Sequence, residues 1–284
     1  MTMENDPGQP DASASLLAFF GRQVLKQRTE RDWSQQELAK EAHTTGAMIS
    51  YVENAKRVPP IELAGDLDAA FKTTFFTEFH PLVVRYAYPT WFLPFIELER
   101  DAVRHRVFES QIVPGLLQTE EYARAMLAAV RPDNLDDLVA ARLSRQAILE
   151  RDTPPHTWFI MDEQALRRTI GGPAVMAAQL EHLLLAGQAP RTVVQVMPEK
   201  VTAHPGLAGP FTLLSFDHGG APKVREAKPP HDVLYVDGFS QGRTALETAE
   251  VMAAGHAYDL LTSYALSPDE SEDLIRDHLK GLTA

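Results

Sequence analysis

The chain has no cysteine among its 284 residues. Disulfide frameworks, thiolate zinc sites and cysteine nucleophiles are thereby excluded, and a reducing compartment, the cytoplasm, is the expected home. Long apolar runs are missing as well. A membrane span needs about 20 consecutive apolar residues, and the best candidate, Tyr86 to Ile96, is short and broken by Pro89 and Pro94. The first residues, Met1 to Ser15, are polar and carry Asp and Pro, unlike a secretory leader. Internal repeats and low-complexity stretches are also missing. Positive charge is scarce: 27 Lys and Arg face 39 Asp and Glu, for a net charge of −12. The length accommodates one small and one medium domain, each with its own core.

Residues 1–14 hold Pro, Gly, Asp and Ser without a periodic apolar face and read as a disordered tail. Helical periodicity begins at Leu16, with Leu17, Phe20, Val24 and Leu25 on one face. Ser34-Gln35-Gln36-Glu37 is a capping box that starts a helix running to about Ala42 and burying Leu38 and Ala39. His43-Thr44 make a tight turn. Thr45 caps a next helix from Gly46 to Asn54 with Ile49 and Val52 inward. Pro59 and Pro60 stop the chain and restart it in a further helix, whose core face holds Leu63, Ala64, Leu67 and Phe71. Two short helices joined by a tight turn, each with its own cap, are the helix-turn-helix arrangement, in which the second helix enters the major groove of DNA.

Such a reader needs its charge balance divided along the chain. From Ser13 to Phe75 eight basic side chains meet eight acidic ones, so the whole acidic excess lies elsewhere. A neutral reader beside an acidic domain holds non-specific DNA weakly, since phosphate neutralisation supplies that affinity. Specific binding then rests on base contacts and dimerisation.

Between Phe71 and Phe95 nine of 25 residues are aromatic. Phe71, Phe75 and Phe79 repeat every four residues and predict one helix with an aromatic face, packed either as a seam between two domains or as a dimer interface. Beyond it, Val103–Phe108, Thr157–Met161, Thr192–Met197, Phe211–Phe216 and Asp232–Val236 read as strands, short and rich in Val, Phe, Ile and Thr. Helices are expected between and after them, at Glu120–Val130, Leu135–Arg151, Ala174–Ala186, Ala245–Leu266 and Ser267–Leu282. The expected fold is an all-helical helix-turn-helix domain (15–75), an aromatic helical connector (76–95) and a larger α+β domain (96–284) with about five strands and flanking helices.

Trp33-Ser34-Gln35-Gln36-Glu37-Leu38-Ala39 and Ile49-Ser50-Tyr51-Val52-Glu53-Asn54 resemble the phage-repressor-like, Xre-type helix-turn-helix family. The resemblance implies a DNA-binding set of Gln35, Gln36, Thr45, Gly46, Ala47, Ser50, Tyr51, Asn54, Lys56 and Arg57. Within it, Gln35 touches phosphate, Gly46, Ala47, Ser50 and Tyr51 meet the bases, and Asn54, Lys56 and Arg57 meet the backbone. Glu53 resembles a structural position with a buried partner. The chain departs from the pattern at His43, which takes the usual turn glycine, and at Gly46 and Ala47, which replace longer polar readers. Further on, Trp91-Phe92-Leu93-Pro94-Phe95, the run Val113-Pro114-Gly115-Leu116-Leu117-Gln118-Thr119, Gly171-Gly172-Pro173 and Gly209-Pro210-Phe211 are similar to the C-terminal domain of WhiJ-like, antitoxin-like actinobacterial regulators. That resemblance implies control by a small partner protein.

The expected function is a repressor that binds an inverted-repeat operator in double-stranded DNA as a homodimer, with a small protein bound to the α+β domain. Control by a small molecule in that domain is the first alternative, and an enzyme tethered to a DNA-binding module the second. Ten histidines are scattered without ligand spacing. Arg104 and Arg106 fall on one strand face, where they either bind an anion or line a solvated edge. Asp162-Glu163 follows a strand, but adjacent side chains diverge and no nucleophile stands near them in sequence. Gly171-Gly172-Pro173, Val113-Pro114-Gly115 and Ala203-His204-Pro205-Gly206 read as turns. No catalytic centre, metal or cofactor is expected.

Overall fold

The computed structural model describes residues 15–130, 132–217, 232–238 and 241–283, so the tail expected over 1–14 lies outside the described residues. Helices α1 (Leu16–Thr29), α2 (Gln35–Glu41), α3 (Gly46–Glu53), α4 (Ile61–Phe71), α5 (Phe75–Ala87) and α6 (Leu93–Asp101) lead into strand β1 (Arg104–Glu109). Then come α7 (Glu120–Ala128), α8 (Leu135–Ser144), β2 (His156–Asp162), α9 (Gln164–Arg167), α10 (Pro173–Ala186) and β3 (Thr192–Met197). The chain continues through β4 (Phe211–Ser215), β5 (Val233–Val236), β6 (Arg243–Ala245), α11 (Thr248–Tyr264) and α12 (Pro268–Thr283). Two units emerge. One takes the described residues up to Thr90 together with Leu127–Ser144, and the other takes Trp91–Met126 and the described residues from Arg145 onward.

In the first unit each early helix starts on a cap. The Ser15 hydroxyl accepts from the Ala18 amide at 2.9 Å, and Thr45 accepts from Met48 at 3.1 Å. At α2 the box is reciprocal, Glu37 N–H to Ser34 Oγ at 3.2 Å and Ser34 N–H to Glu37 Oε2 at 2.7 Å. Each such cap is worth about 1 kcal/mol. Leu17, Phe20, Val24, Leu38, Ile49, Val52 and Leu67 are fully buried between α1 and α4.

The aromatic run is not one helix. Lys72 takes a left-handed conformation (φ 57°) and ends α4. The buried Asp68 carboxylate then accepts from the amides of Phe76 (2.9 Å) and Thr77 (2.8 Å) and starts α5 afresh. Phe75 and Phe79 of α5 pack on Phe19, and Phe76 packs on Phe20. These rings therefore belong to the first unit's own core, whereas Phe92 and Phe95 pack against Tyr235 in the second. The helix α8 joins the first unit through polar anchors. Tyr88 donates to the Ala141 carbonyl at 2.8 Å, and the Val58 amide donates to Ser144 Oγ at 2.7 Å.

The second unit is built on a six-stranded mixed sheet in the order β3-β2-β1-β4-β5-β6. Strands β1, β2 and β3 run parallel, and β4, β5 and β6 pair antiparallel. Side chains alternate between the faces with period two. Val107, Phe159, Met161 and Val196 point to one face with Leu180 and Leu183 of α10 and Ile275 of α12. Phe108, Ile160, Leu213 and Leu234 point to the other with Val251, Tyr258 and Leu261 of α11. On the outer edge of β3, Ser271 Oγ accepts from the Val196 amide at 3.0 Å and the Leu266 amide donates to the Val196 carbonyl at 2.9 Å. The sheet has one strand more than the five read from the sequence. β6 is only three residues long and has no apolar run to announce it.

Candidate nucleic-acid interface

Helices α2 and α3 bury Leu38, Ala39, Ile49 and Val52 and turn their other faces outward. His43, in the turn between them, adopts φ 48°, a positive value that His tolerates less well than Gly. Under the pair lies an ion pair. Arg28 donates from Nε to Glu53 Oε1 at 2.6 Å and from Nη2 to Oε2 at 3.1 Å, while its Nη1 holds the Trp33 carbonyl at 2.7 Å. Glu53 thus has the buried basic partner expected of it, and that partner ties α1 to the end of α3.

The ten DNA-contact candidates divide by what holds them. Gln35 is turned inward, half-buried, with Nε2 donating to Glu53 Oε2 at 2.7 Å. Gln36, Ala47, Tyr51 and Lys56 are exposed. Thr45 is exposed and caps α3, and Gly46, which opens that helix, is buried. Ser50 and Asn54 are half-buried, with Asn54 Nδ2 donating to the Ser50 carbonyl at 2.8 Å. Arg57 donates to the Lys56 carbonyl at 2.8 Å and lays its guanidinium 4.7 Å from the Tyr51 ring centroid, a cation–π stack that fixes the ring's direction.

Sequence reading missed how Lys56 is presented. The Lys56 amide donates to the Tyr51 carbonyl at 2.8 Å and the Ala55 amide to Val52 at 3.1 Å. With Ala55 at φ 55°, this is a Schellman closure whose left-handed position is normally Gly. An alanine there gives no signal in the sequence.

The other sequence candidates lie in the second unit. Arg106 is engaged by acids, Asp232 at 3.1 Å and Asp259 at 3.9 Å, and lies over the Tyr258 ring. Asp162 and Glu163 diverge, as adjacent residues must. Asp162 faces His204 at 3.4 Å, and Glu163 meets Arg167 at 2.6 Å and His278 at 3.3 Å. Burial pushes the Glu163 carboxyl up, but the Glu199 amide, Arg167 and His278 outweigh it and hold the group below its ordinary value. His204 and His278 stand far from these carboxylates in sequence, and no motif links them. Gly171 (φ 76°) and Gly172 (φ 92°) form the turn before α10.

Among the described residues no three His, Asp or Glu side chains gather where they could hold a metal ion. No described helix is long and apolar enough to cross a membrane.

Residues 24–76 match the helix-turn-helix family. That match covers α2, the turn and α3, and makes this protein a DNA-binding transcription regulator. Nothing among curated proteins or solved structures matches the chain. Residues 92–277 match the family described as domain of unknown function DUF5753. That span exceeds half of the chain and takes in the whole sheet, and the chain belongs to the DUF5753 family, with a helix-turn-helix at its amino-terminal end.

Proposed function

We propose that the protein is a repressor that binds an inverted-repeat operator as a homodimer, and that a small protein docking on the second unit sets its affinity for DNA. The reading rests first on the outward face of α2 and α3, where exposed Gln36, Ala47, Tyr51 and Lys56 surround the start and end of the recognition helix. The contact set is Gln35, Gln36, Thr45, Gly46, Ala47, Ser50, Tyr51, Asn54, Lys56 and Arg57, with Tyr51 at base edges and Lys56 and Arg57 at phosphates. One recognition helix reads few base pairs, which favours a two-fold dimer and paired half-sites.

Control by protein contact is supported by apolar exposure. Leu207 and Met252 are each 69% exposed, on the turn Pro205–Ala208 and on α11, two elements that pack together, and Leu246, 59% exposed, lies between β6 and α11. Large apolar side chains left exposed on elements that pack together are the kind of surface that protein contact covers. The similarity to antitoxin-like regulators points the same way, and no catalytic step belongs to this reading. All of the net acidity lies outside residues 13–75 and opposes DNA, so a partner needs to supply a coupling of only about 1–3 kcal/mol to vacate the operator.

The test is a purification of the tagged full chain from its own cells, followed by a titration of any small protein that it retains into the protein–DNA complex. A shift of operator affinity by tenfold or more is expected, and Leu207→Asp with Met252→Asp should abolish it. An unchanged affinity, with no complex between the two proteins, would contradict partner control and leave a small-molecule effector as the reading to test.

A further inference from the structure

The first turn of the recognition helix is chemically poor. Gly46, Ala47 and Met48 carry no hydrogen-bonding side chain, yet this is the part of a recognition helix that meets base edges. Gly46 is nevertheless buried, although the helix it opens faces outward. What covers it is a side chain from the preceding helix. A Cβ at position 46 would fall 2.4 Å from Gln36 Nε2, 2.8 Å from Cδ and 3.1 Å from Oε1. The Gln36 amide therefore fills the space that a side chain of residue 46 would take. Gln36 itself is exposed, whereas the adjacent Gln35 is turned inward onto Glu53 at 2.7 Å.

We infer that Gln36, reaching from α2 across Gly46, is the base-reading residue at the start of the recognition helix, and that Gly46 is required because it leaves room for this amide. The inference rests on the DNA-binding role of the helix-turn-helix. A glutamine amide both donates and accepts, and it matches adenine at N7 and N6 in the major groove. The reader is thus supplied by the first helix of the motif, and Gly46 acts as a positioning residue through the space it leaves. Adding one methyl group at Gly46 introduces no polar atom, yet it displaces Gln36. It also raises helix propensity, and the obstructing group is the free end of a flexible side chain, so Gly46→Ala leaves the fold intact.

The experiment uses the full chain. Preferred sites are selected from random double-stranded DNA with the unmodified protein, and binding is then measured to every single-base-pair variant of the best site for the unmodified protein, Gln36→Ala and Gly46→Ala. One A·T pair in each half-site is expected to be preferred by about 5- to 100-fold over its G·C replacement. Gln36→Ala should bring that ratio within twofold while leaving the ratios at other positions unchanged. Gly46→Ala should erase or reassign the preference at the same pair and nowhere else. A Gln36→Ala protein that weakens all sequences alike, with every base preference kept, overturns the inference and makes Gln36 a backbone contact. Loss at the A·T pair in Gln36→Ala but not in Gly46→Ala overturns the role given to Gly46. If the unmodified protein selects no sequence, the DNA-reading assignment of the helix-turn-helix fails, and this inference falls with it.

Discussion

Arg28 closes on Glu53 with two parallel hydrogen bonds, 2.6 Å and 3.1 Å long, across 25 residues of sequence. The carboxylate is 4% exposed and the guanidinium 14%. Breaking such a pair from one side leaves a buried charge without its counterion, which costs about 3 kcal/mol. Glu53→Ala is therefore expected to lower the stability of the first unit by about that amount, because Gln35 loses its acceptor in the same step. Urea denaturation followed by circular dichroism measures it. A midpoint shift equivalent to less than about 0.5 kcal/mol, the size of a neutral surface change, would show the pair to be dispensable.

The closure of α3 supplies a prediction of opposite sign. Ala55 holds φ 55°, a conformation that costs an L-residue about 1–2 kcal/mol and glycine nothing. Glycine gives back part of that through the freedom of the unfolded chain. Ala55→Gly should stabilise the protein by about 0.5–1 kcal/mol without altering DNA affinity, since Lys56 stays bonded to the Tyr51 carbonyl. Parallel urea melts and DNA titrations check both halves. Destabilisation would mean that the alanine methyl group makes a contact worth more than the strain.

The helix-turn-helix was legible because its determinants are local. Ser34 and Glu37 lie three residues apart, and the apolar positions of α2 and α3 follow a helical period. Much of the sheet was legible too, since strands buried on both faces read as runs of Val, Ile and Phe. The illegible parts are non-local. Asp68 starting α5 across a left-handed Lys72 breaks a pattern that periodicity alone joins into one helix. The Val58–Ser144 and Tyr88–Ala141 hydrogen bonds span 86 and 53 residues, and they attach α8 to the first unit. At the candidate interface, the resemblance places Gln35 at phosphate and gives Gln36 no role of its own. Only the packing turns Gln35 toward Glu53 and Gln36 toward Gly46.

Acid should destabilise the protein through its buried and half-buried histidines. Burial holds the imidazoles of His80, His105 and His182 below the ordinary value of 6.5. For His80 this prevails over the Pro59 carbonyl and Glu62, which push it up. A lowered folded value means that the unfolded chain binds more protons just below pH 6.5. Stability is then complete above about pH 6.5 and falls as the pH drops from there toward the folded-state values. His80→Gln keeps a donor for the Pro59 carbonyl, which His80 Nε2 meets at 2.8 Å. The urea midpoint of that variant should fall less between about pH 7.5 and 5.5 than that of the unmodified protein. Equal slopes would place the acid sensitivity elsewhere.

Tyr51 and Lys56 should differ in kind. Tyr51 faces outward under the Arg57 guanidinium, and Tyr51→Ala is expected to relax base preference by about 1–3 kcal/mol. Lys56→Ala should weaken all sequences alike and reduce the salt slope of binding by about one unit. Titrations of specific and random DNA across a salt series separate the two, and indistinguishable profiles would contradict the assignment.

The most direct test of the central claim is a footprint of the unmodified protein on DNA that it has itself selected from a random pool. Two protected half-sites in inverted orientation are predicted, with centres about 34 Å apart or a multiple of that, and protection lost together in Tyr51→Ala. A single unrepeated half-site covered by one copy of the chain would contradict the dimeric repressor, and uniform protection without any selected sequence would contradict sequence-specific reading altogether.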